Sequence, residues 1–379
     1  MKLKPLLLAA FLALPSPFAH AADPIKIGAM FETSGFLAGL GNQGLLGAQL
    51  ALEEINKAGG INGRPLEMVH VNTESDETKA LIAAKRLIER DKVLALIGAM
   101  NSGASFSILD TVQRAEVPLV SNGASRKIVQ PVEKKQWAFL VPMTDVLVIG
   151  RIIEDLKKKG ITKIALMNAD TAFGLSAREQ WEIMAPEAGI KIVTQQTFAN
   201  SDQDMTPQVT KIRDQDIQAL VMWATGPIQA IVFKNIAQLG LKVPVYASHG
   251  LSDPNIVKLA GPAADGIKFP SSKTYVAESL PDSDPQKPVV IKFNDAFQKK
   301  FGNAPASFAG NGYDSVMILA AAIKNAGTDA KAIRAAIEKT KGHVGVTGIY
   351  SYSPQDHYGL EPQSVVLLEI KNGKFELAK

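Results

Sequence analysis

The chain of 379 residues contains no cysteine. Disulfide staples, thiolate metal sites and cysteine nucleophiles are therefore excluded together. Histidine is almost as scarce, with five in the chain. Past residue 22 only His70, His249, His343 and His357 remain, far apart and without metal-helix spacing. No metal and no cofactor is expected. Neither a G-x-S-x-G elbow nor a Walker A loop occurs. Charge of one sign is also lacking: 41 basic against 37 acidic residues leave +4, too little to argue for nucleic acid or an anionic membrane.

Long apolar runs are missing too, and the one concentrated run opens the chain. Met1–Lys4 carries two lysines and no acid, Leu6–Leu14 is apolar, and Pro15 and Pro17 break it before Ala19-His20-Ala21. This is the pattern of a secretory signal cleaved after Ala21 or Ala22, so residues 1–22 are expected to be removed. The run is far shorter than the ~20 residues a bilayer span needs. With no cysteine at the cleavage point for a lipid, no direct membrane anchor is expected. Losing Lys2 and Lys4 lowers the net charge to +2, and 357 residues remain. That length exceeds what one core usually organises, which points to two lobes. An exported, cysteine-free, two-lobed monomer suits a Gram-negative periplasm.

Along the chain, short β-branched runs alternate with amphipathic patterns. Strands are expected at Ile25–Phe31, Leu66–Val71, Leu94–Met100 and Pro118–Ser121, with helices at Asn42–Ala58, Glu77–Arg90 and Ser102–Ala115. The rhythm restarts at Thr144: helices Thr144–Lys159, Gly174–Ala188, Met205–Arg213 and Pro227–Leu239 alternate with strands Lys163–Ala169, Lys191–Phe198, Ala219–Thr225 and Val243–Ser248. Such β-α alternation implies an α/β fold of two doubly wound parallel sheets with helices on both faces. The last third differs. Helices Gln286–Phe301, Ala309–Ala326 and Asp329–Thr340 precede strands Gly345–Tyr352 and Val365–Leu377, the latter turned by Asn372-Gly373. These read as segments returning to complete both lobes, so that the chain crosses between them several times.

A literal G-x-G-x-x-G occurs at Gly39–Gly44, yet seven residues separate it from the first strand, and the second strand ends at Asn72 rather than an acid. That is not how a dinucleotide fingerprint is built. The glycines are expected instead to let the loop approach a ligand or the helix start tightly. Acidic pairs such as Glu53-Glu54 fall on helix surfaces. What remains are small polar clusters beyond strand ends, where open α/β sheets bind ligands. Asn101-Ser102 and Gly103–Ser105 follow the third strand, and Ser121–Ser125, with Gly123, Ala124 and Ser125, follow the fourth. Either alone would be ordinary capping; two at neighbouring strand ends favour an anion site. In the second array the corresponding exits are apolar or aromatic: Phe173-Gly174, Trp223 to Gly226, and Ser248-His249-Gly250. Phe173 and Trp223 are read as a pocket wall.

The sequence at this point resembles the type I periplasmic binding proteins of the branched-chain amino acid kind. The resemblance covers the mature chain and rests on Ile25–Gly28, Ser34-Gly35, Gly47–Ala51 through Ile55–Gly63, Leu96–Gly98, Phe173-Gly174, Ala309–Asp314 and Val346–Gly348. It implies two lobes joined by a three-stranded hinge that closes on ligand, with crossings near Val141–Pro142, Pro270–Ser271 and Gly348–Tyr350. Lobe 1 would then hold residues 23–141 and 271–348, and lobe 2 residues 142–270 and 349–379. It further implies a small-molecule ligand and, as partner, the membrane permease of an ABC importer. The ligand carboxylate would sit on the loops of Ser102 and Gly123-Ala124-Ser125, with Phe173 against its body and Leu40 at the first loop.

One departure bears on the ligand. Where the family places a carboxylate for the ligand ammonium, this chain has His249. Burying an ammonium without its anion costs several kcal/mol, against about 8 kcal/mol for a whole micromolar complex. An aromatic or aliphatic acid is thus expected rather than an amino acid. Covering about 150 Å² of its apolar body contributes roughly 4 kcal/mol, and His249 would meet a hydroxyl or keto oxygen. Two alternatives stay open: an amino acid or amide whose ammonium meets another acid such as Asp170, and, more remotely, an exported hydrolase using His249.

Overall fold

The computed structural model describes residues 23–379; the expected signal, residues 1–22, lies outside the described residues. The first half runs β1 (Ile25–Phe31), α1 (Ala38–Lys57), β2 (Leu66–Asn72), α2 (Glu77–Glu89), β3 (Leu96–Gly98), α3 (Ser102–Ala115), β4 (Leu119–Ser121) and β5 (Ala138–Leu140). These strands make one parallel sheet in the order β2-β1-β3-β4-β5. Every residue of β1 except Lys26 is buried, as expected of a strand covered by helices on both faces.

The second array runs α4 (Asp145–Lys158), β6 (Lys163–Ala169), α5 (Ala172–Glu187), β7 (Lys191–Phe198), α6 (Thr206–Arg213), β8 (Ala219–Trp223), α7 (Ile228–Gln238), β9 (Val245–Ala247), α8 (Pro254–Ala260) and β10 (Lys268–Ser271). Its parallel strands follow β7-β6-β8-β9-β10, the same winding as the first sheet. In each lobe the order reverses beside the first strand, between β1 and β3 and between β6 and β8. Crevices at such switch points, beyond the carboxyl ends of the strands, are where open α/β sheets bind.

The remaining chain serves both lobes. Helices α9 (Gln286–Phe301), α10 (Ser307–Ala326) and α11 (Ala330–Glu338) follow, with α9 and α10 against α1 and α11 on α10. The α1–α10 contact is close because it is glycine on backbone: a Cβ at Gly47 would lie 1.8 Å from the Ala309 carbonyl, and one at Gly312 1.9 Å from that of Gly44. Gly39, Gly41 and Gly44 all lie within the first turns of α1, and Gly41 abuts the backbone of Glu32. The literal glycine pattern therefore serves helix packing, not a phosphate loop.

After α11 come β11 (His343–Val344) and β12 (Ile349–Tyr350), then β13 (Val366–Lys371) and β14 (Lys374–Leu377), which extend the second sheet as an antiparallel hairpin. The Asn372-Gly373 turn has φ of 49° and 73°, the left-handed pair that such a hairpin needs. A continuous strand over Gly345–Tyr352 does not form. The amides of Val346 and Thr347 instead donate to the buried Asp314 carboxylate at 2.8 Å, which takes them out of any ladder. Beyond Tyr350 the chain still follows the first sheet: Leu140 donates to the His357 carbonyl, and the Tyr352 hydroxyl to that of Leu140. The expected lobe boundary at residue 349 thus falls ahead of a stretch tied to β5.

Candidate functional site

The facing switch points enclose a narrow cavity of about 30 Å³. The first lobe supplies Leu37 and Leu40 from the start of α1, Met100, Asn101 and Ser102 beyond β3, Asn122 and Ala124 beyond β4, and Phe308 and Asn311 from α10. The second lobe supplies Phe173 beyond β6, Thr225 beyond β8, and His249 and Gly250 beyond β9, with Pro142 between the lobes. Six sequence candidates meet there: Leu40, Asn101, Ser102, Ala124, Phe173 and His249. Four lie behind the wall. The Gly123 amide is taken by the Ser121 hydroxyl at 3.1 Å, and its missing Cβ makes room for Ser105 and Ile128. Trp223 is fully buried behind Phe173, ring centroids 5.6 Å apart. Gly226, at φ 76°, faces the other lobe: a Cβ there would stand 3.1 Å from the Phe36 carbonyl. Ser125 turns its hydroxyl toward Ser176 on α5 at 2.6 Å.

Sequence reasoning overlooked several wall residues. Phe308 and Asn311 come from a helix some 200 positions away, and no local pattern marks them. Leu37 and Met100 look like core residues. A more telling omission is Glu32, at the end of β1. Its carboxylate is fully buried and accepts from the Met100 amide at 3.1 Å and the Asn101 side-chain amide at 3.0 Å. Burial pushes its pKa up to about 7 against those hydrogen bonds. It holds the β3 exit in place from behind.

Electrostatically the wall is uniform in one respect: none of its residues carries a formal charge at neutral pH. His249 is neutral, because burial lowers its pKa to about 4, and its Nδ1 has no partner among the described residues. Donors gather on the first-lobe side. The amides of Ser102 and Ala124 donate to no acceptor among the described residues, and the Ser102 hydroxyl, which accepts from the Ser125 amide at 3.2 Å, keeps its proton for the cavity. The Asn101 side chain caps α3 through the Ala104 amide at 2.7 Å, so that helix points its N-terminus at the cleft. Asn122 donates to the Ser315 hydroxyl at 2.8 Å, and its Oδ1 is left unpaired. Asp170 is exposed and lies outside the wall. Among the described residues no group of three or more histidines and acids is placed to hold a metal ion, and no helix is long and apolar enough to cross a membrane.

Two lobes of identical winding around an interlobe cavity with gathered hydrogen-bond donors define a clamp-type solute binder. The family model described as periplasmic binding protein matches residues 24–374, and the chain belongs to that family. It is a solute-binding protein of the type I fold rather than an enzyme. A Leu/Ile/Val-binding protein homologue of Brucella abortus is 25% identical over 96% of this chain and 93% of its own length. An extracellular ligand-binding receptor of Rhodopseudomonas palustris superposes with a TM-score of 0.87 at 28% identity, covering 94% of this chain and 99% of that one. The branched-chain amino acid transporter binding protein LivJ of Streptococcus pneumoniae, solved with isoleucine, gives 0.82 at 28%, with the same two coverages.

Proposed function

We propose that the protein is the periplasmic binding component of an ABC importer and that its cargo is a small carboxylate with an apolar body and no ammonium group. The observation that carries the ligand class is the composition of the wall: unpaired donors at Ser102 and Ala124 on one side, and no acid among the lining residues. A carboxylate there gains two amides and a hydroxyl at the positive end of α3. An ammonium would be buried without an anion, at a cost of several kcal/mol. Leu40 and Phe173 cover the body, and neutral His249 meets a hydroxyl or keto oxygen. The names of the relatives favour the other reading, a branched-chain amino acid.

The cavity of about 30 Å³ is smaller than a benzoate-sized acid, so loading requires the lobes to part and then reclose around the cargo. The crossings near Val141–Pro142 and Ser271, together with the strand that leaves β12, would act as the hinge. Export through a cleaved signal and delivery of the closed form to a permease complete the reading.

The test is direct. Ligand released from the purified, denatured protein is identified by mass spectrometry, and melting is followed with benzoate, phenylacetate, branched keto acids, leucine and valine. An acid without an amino group should be recovered and should raise the melting temperature while leucine does not. Stabilisation by leucine or valine alone would overturn the ligand class and favour the amino acid reading.

A further inference from the structure

Two serines reach the anion loops, and hydrogen-bond bookkeeping assigns them different tasks. The Asp145 carboxylate, at the start of α4, accepts from the Arg126 amide at 3.1 Å and the Val146 amide at 2.9 Å through one oxygen, and from the Ser176 hydroxyl through the other. A carboxylate with three donors acts only as acceptor, so Ser176 spends its single proton on Asp145. The 2.6 Å contact between Ser125 and Ser176 then requires Ser125 to be its donor. The Ser125 oxygen also accepts from the Lys127 amide at 3.2 Å. Ser125 thus has no proton left for a ligand. Ser102, by contrast, only accepts from the protein and keeps its proton.

The path of these bonds crosses the cleft. Ser125 stands on the loop after β4, in the first lobe, and Ser176 on α5 of the second. One turn further along α5, Glu179 pairs with Lys127 of the same first-lobe loop. All of Ser125, Ser176 and Asp145 are buried, so their hydrogen bonds are shielded from water, unlike the exposed Lys127–Glu179 pair.

We infer that Ser125, Ser176 and Asp145 form an interlobe latch: Ser125 holds the closed state, while Ser102 and the free amides grip the cargo. The inference rests on the reading that the lobes open and close, and not on which ligand is carried. Opening draws Ser125 of the first lobe away from Ser176 and Asp145 of the second, and none of the three lines the cavity, so the latch biases the clamp toward closure even when empty and slows release when loaded.

Because the chain has no cysteine, two introduced thiols report on the lobes alone. Ile82→Cys on α2 and Leu259→Cys on α8 replace exposed residues of opposite lobes, and pulsed electron resonance between spin labels gives the open and closed populations without ligand. In that background Ser125→Ala and Ser176→Ala should each raise the open-to-closed ratio about five- to tenfold, the effect of one shielded hydrogen bond. Together they should do no more than either alone, since they cut the same chain. Ser176→Thr, which keeps the hydroxyl, should restore closure, and Ser102→Ala should leave the ligand-free distribution unchanged. Should Ser176→Ala fail to fold, Ser125→Ala carries the same test.

With benzoate as probe, the latch variants should release it faster and, with more of the empty clamp open, associate with it no more slowly than the parent, whereas Ser102→Ala should lose binding. Unaltered ligand-free distributions in both latch variants would overturn the inference, as would additive effects. So would Ser125→Ala losing benzoate as Ser102→Ala does while Ser176→Ala is silent. If benzoate binds neither the parent nor any variant, benzoate is not the cargo, and the ligand-free distances still decide the latch.

Discussion

At the scale of single residues, the site turns on groups whose charge is set by burial. His249 prefers to be neutral in the closed clamp, with its pKa lowered from 6.5 to about 4. A base with a depressed folded-state pKa contributes stability that is whole above pH 6.5 and is lost as pH falls through 4. The full loss is about 3 kcal/mol, at roughly 1.4 kcal/mol per pH unit. Thermal melts of the parent and His249→Gln from pH 8 to pH 4 should diverge in that window, with the parent losing more. Curves that stay parallel would show that the imidazole does not titrate against the fold. Glu32 has the opposite sign: its pKa of about 7 makes its contribution complete below pH 4.5 and lost as pH rises through 7. The two act in overlapping windows, so the His249→Gln difference, not the parent curve alone, is the informative quantity.

At the scale of elements, two helix glycines separate packing from propensity. Gly47 in α1 has the Ala309 carbonyl 1.8 Å from where a Cβ would stand, whereas Gly150 in α4 has nothing within 4 Å. Alanine improves a helix interior by about 0.5–1 kcal/mol. Gly150→Ala should therefore gain about that much in urea unfolding. At Gly47 a rigid backbone carbonyl cannot swing aside as a side chain does, and overpacking costs typically about 1–3 kcal/mol or more. Gly47→Ala should be net destabilising, and equal signs for the two variants would contradict the α1–α10 contact. The same contrast shows what the sequence makes legible. Periodicity places α9 at Gln286–Phe301 to the residue, because an amphipathic pattern of sixteen residues is redundant. It misses β5, three residues long, and β10, whose Pro270–Ser271 end is expected only as a crossing between lobes. That proline is tolerated in the ladder opposite Leu367, something decided by the neighbouring strands rather than by local preference. The strand-end rule brings Asn101, Ser102, Ala124, Phe173 and His249 to the cavity. It has no means of finding Phe308, which arrives on α10, or of knowing that the Ser125 hydroxyl faces the other lobe.

At the scale of the whole molecule, closure has to be reversible while the lobes stay in register, and the crossings carry that demand. Asp314, on α10, accepts from the amides of Val346 and Thr347 and from the Thr347 hydroxyl at 2.6 Å. The Tyr350 hydroxyl stands 2.7 Å from that of Thr347 and 3.1 Å from the Val141 carbonyl. One buried carboxylate therefore ties the third crossing to a first-lobe helix and, through Tyr350, to the first crossing. Burial raises the Asp314 pKa and the Thr347 and Val346 hydrogen bonds oppose it. Replacement by Asn preserves volume but supplies one acceptor oxygen where three donors converge, leaving buried donors unpaired at a cost of about 1–3 kcal/mol each. Asp314→Asn should lower global stability in urea by a comparable amount. It should also broaden the ligand-free interlobe distance distribution at both ends, because a loosened pivot admits more arrangements than open and closed. The latch variants shift weight between two populations and leave the unfolding midpoint nearly in place. A narrowed or merely shifted distribution for Asp314→Asn would place this network outside the hinge, as packing within the first lobe.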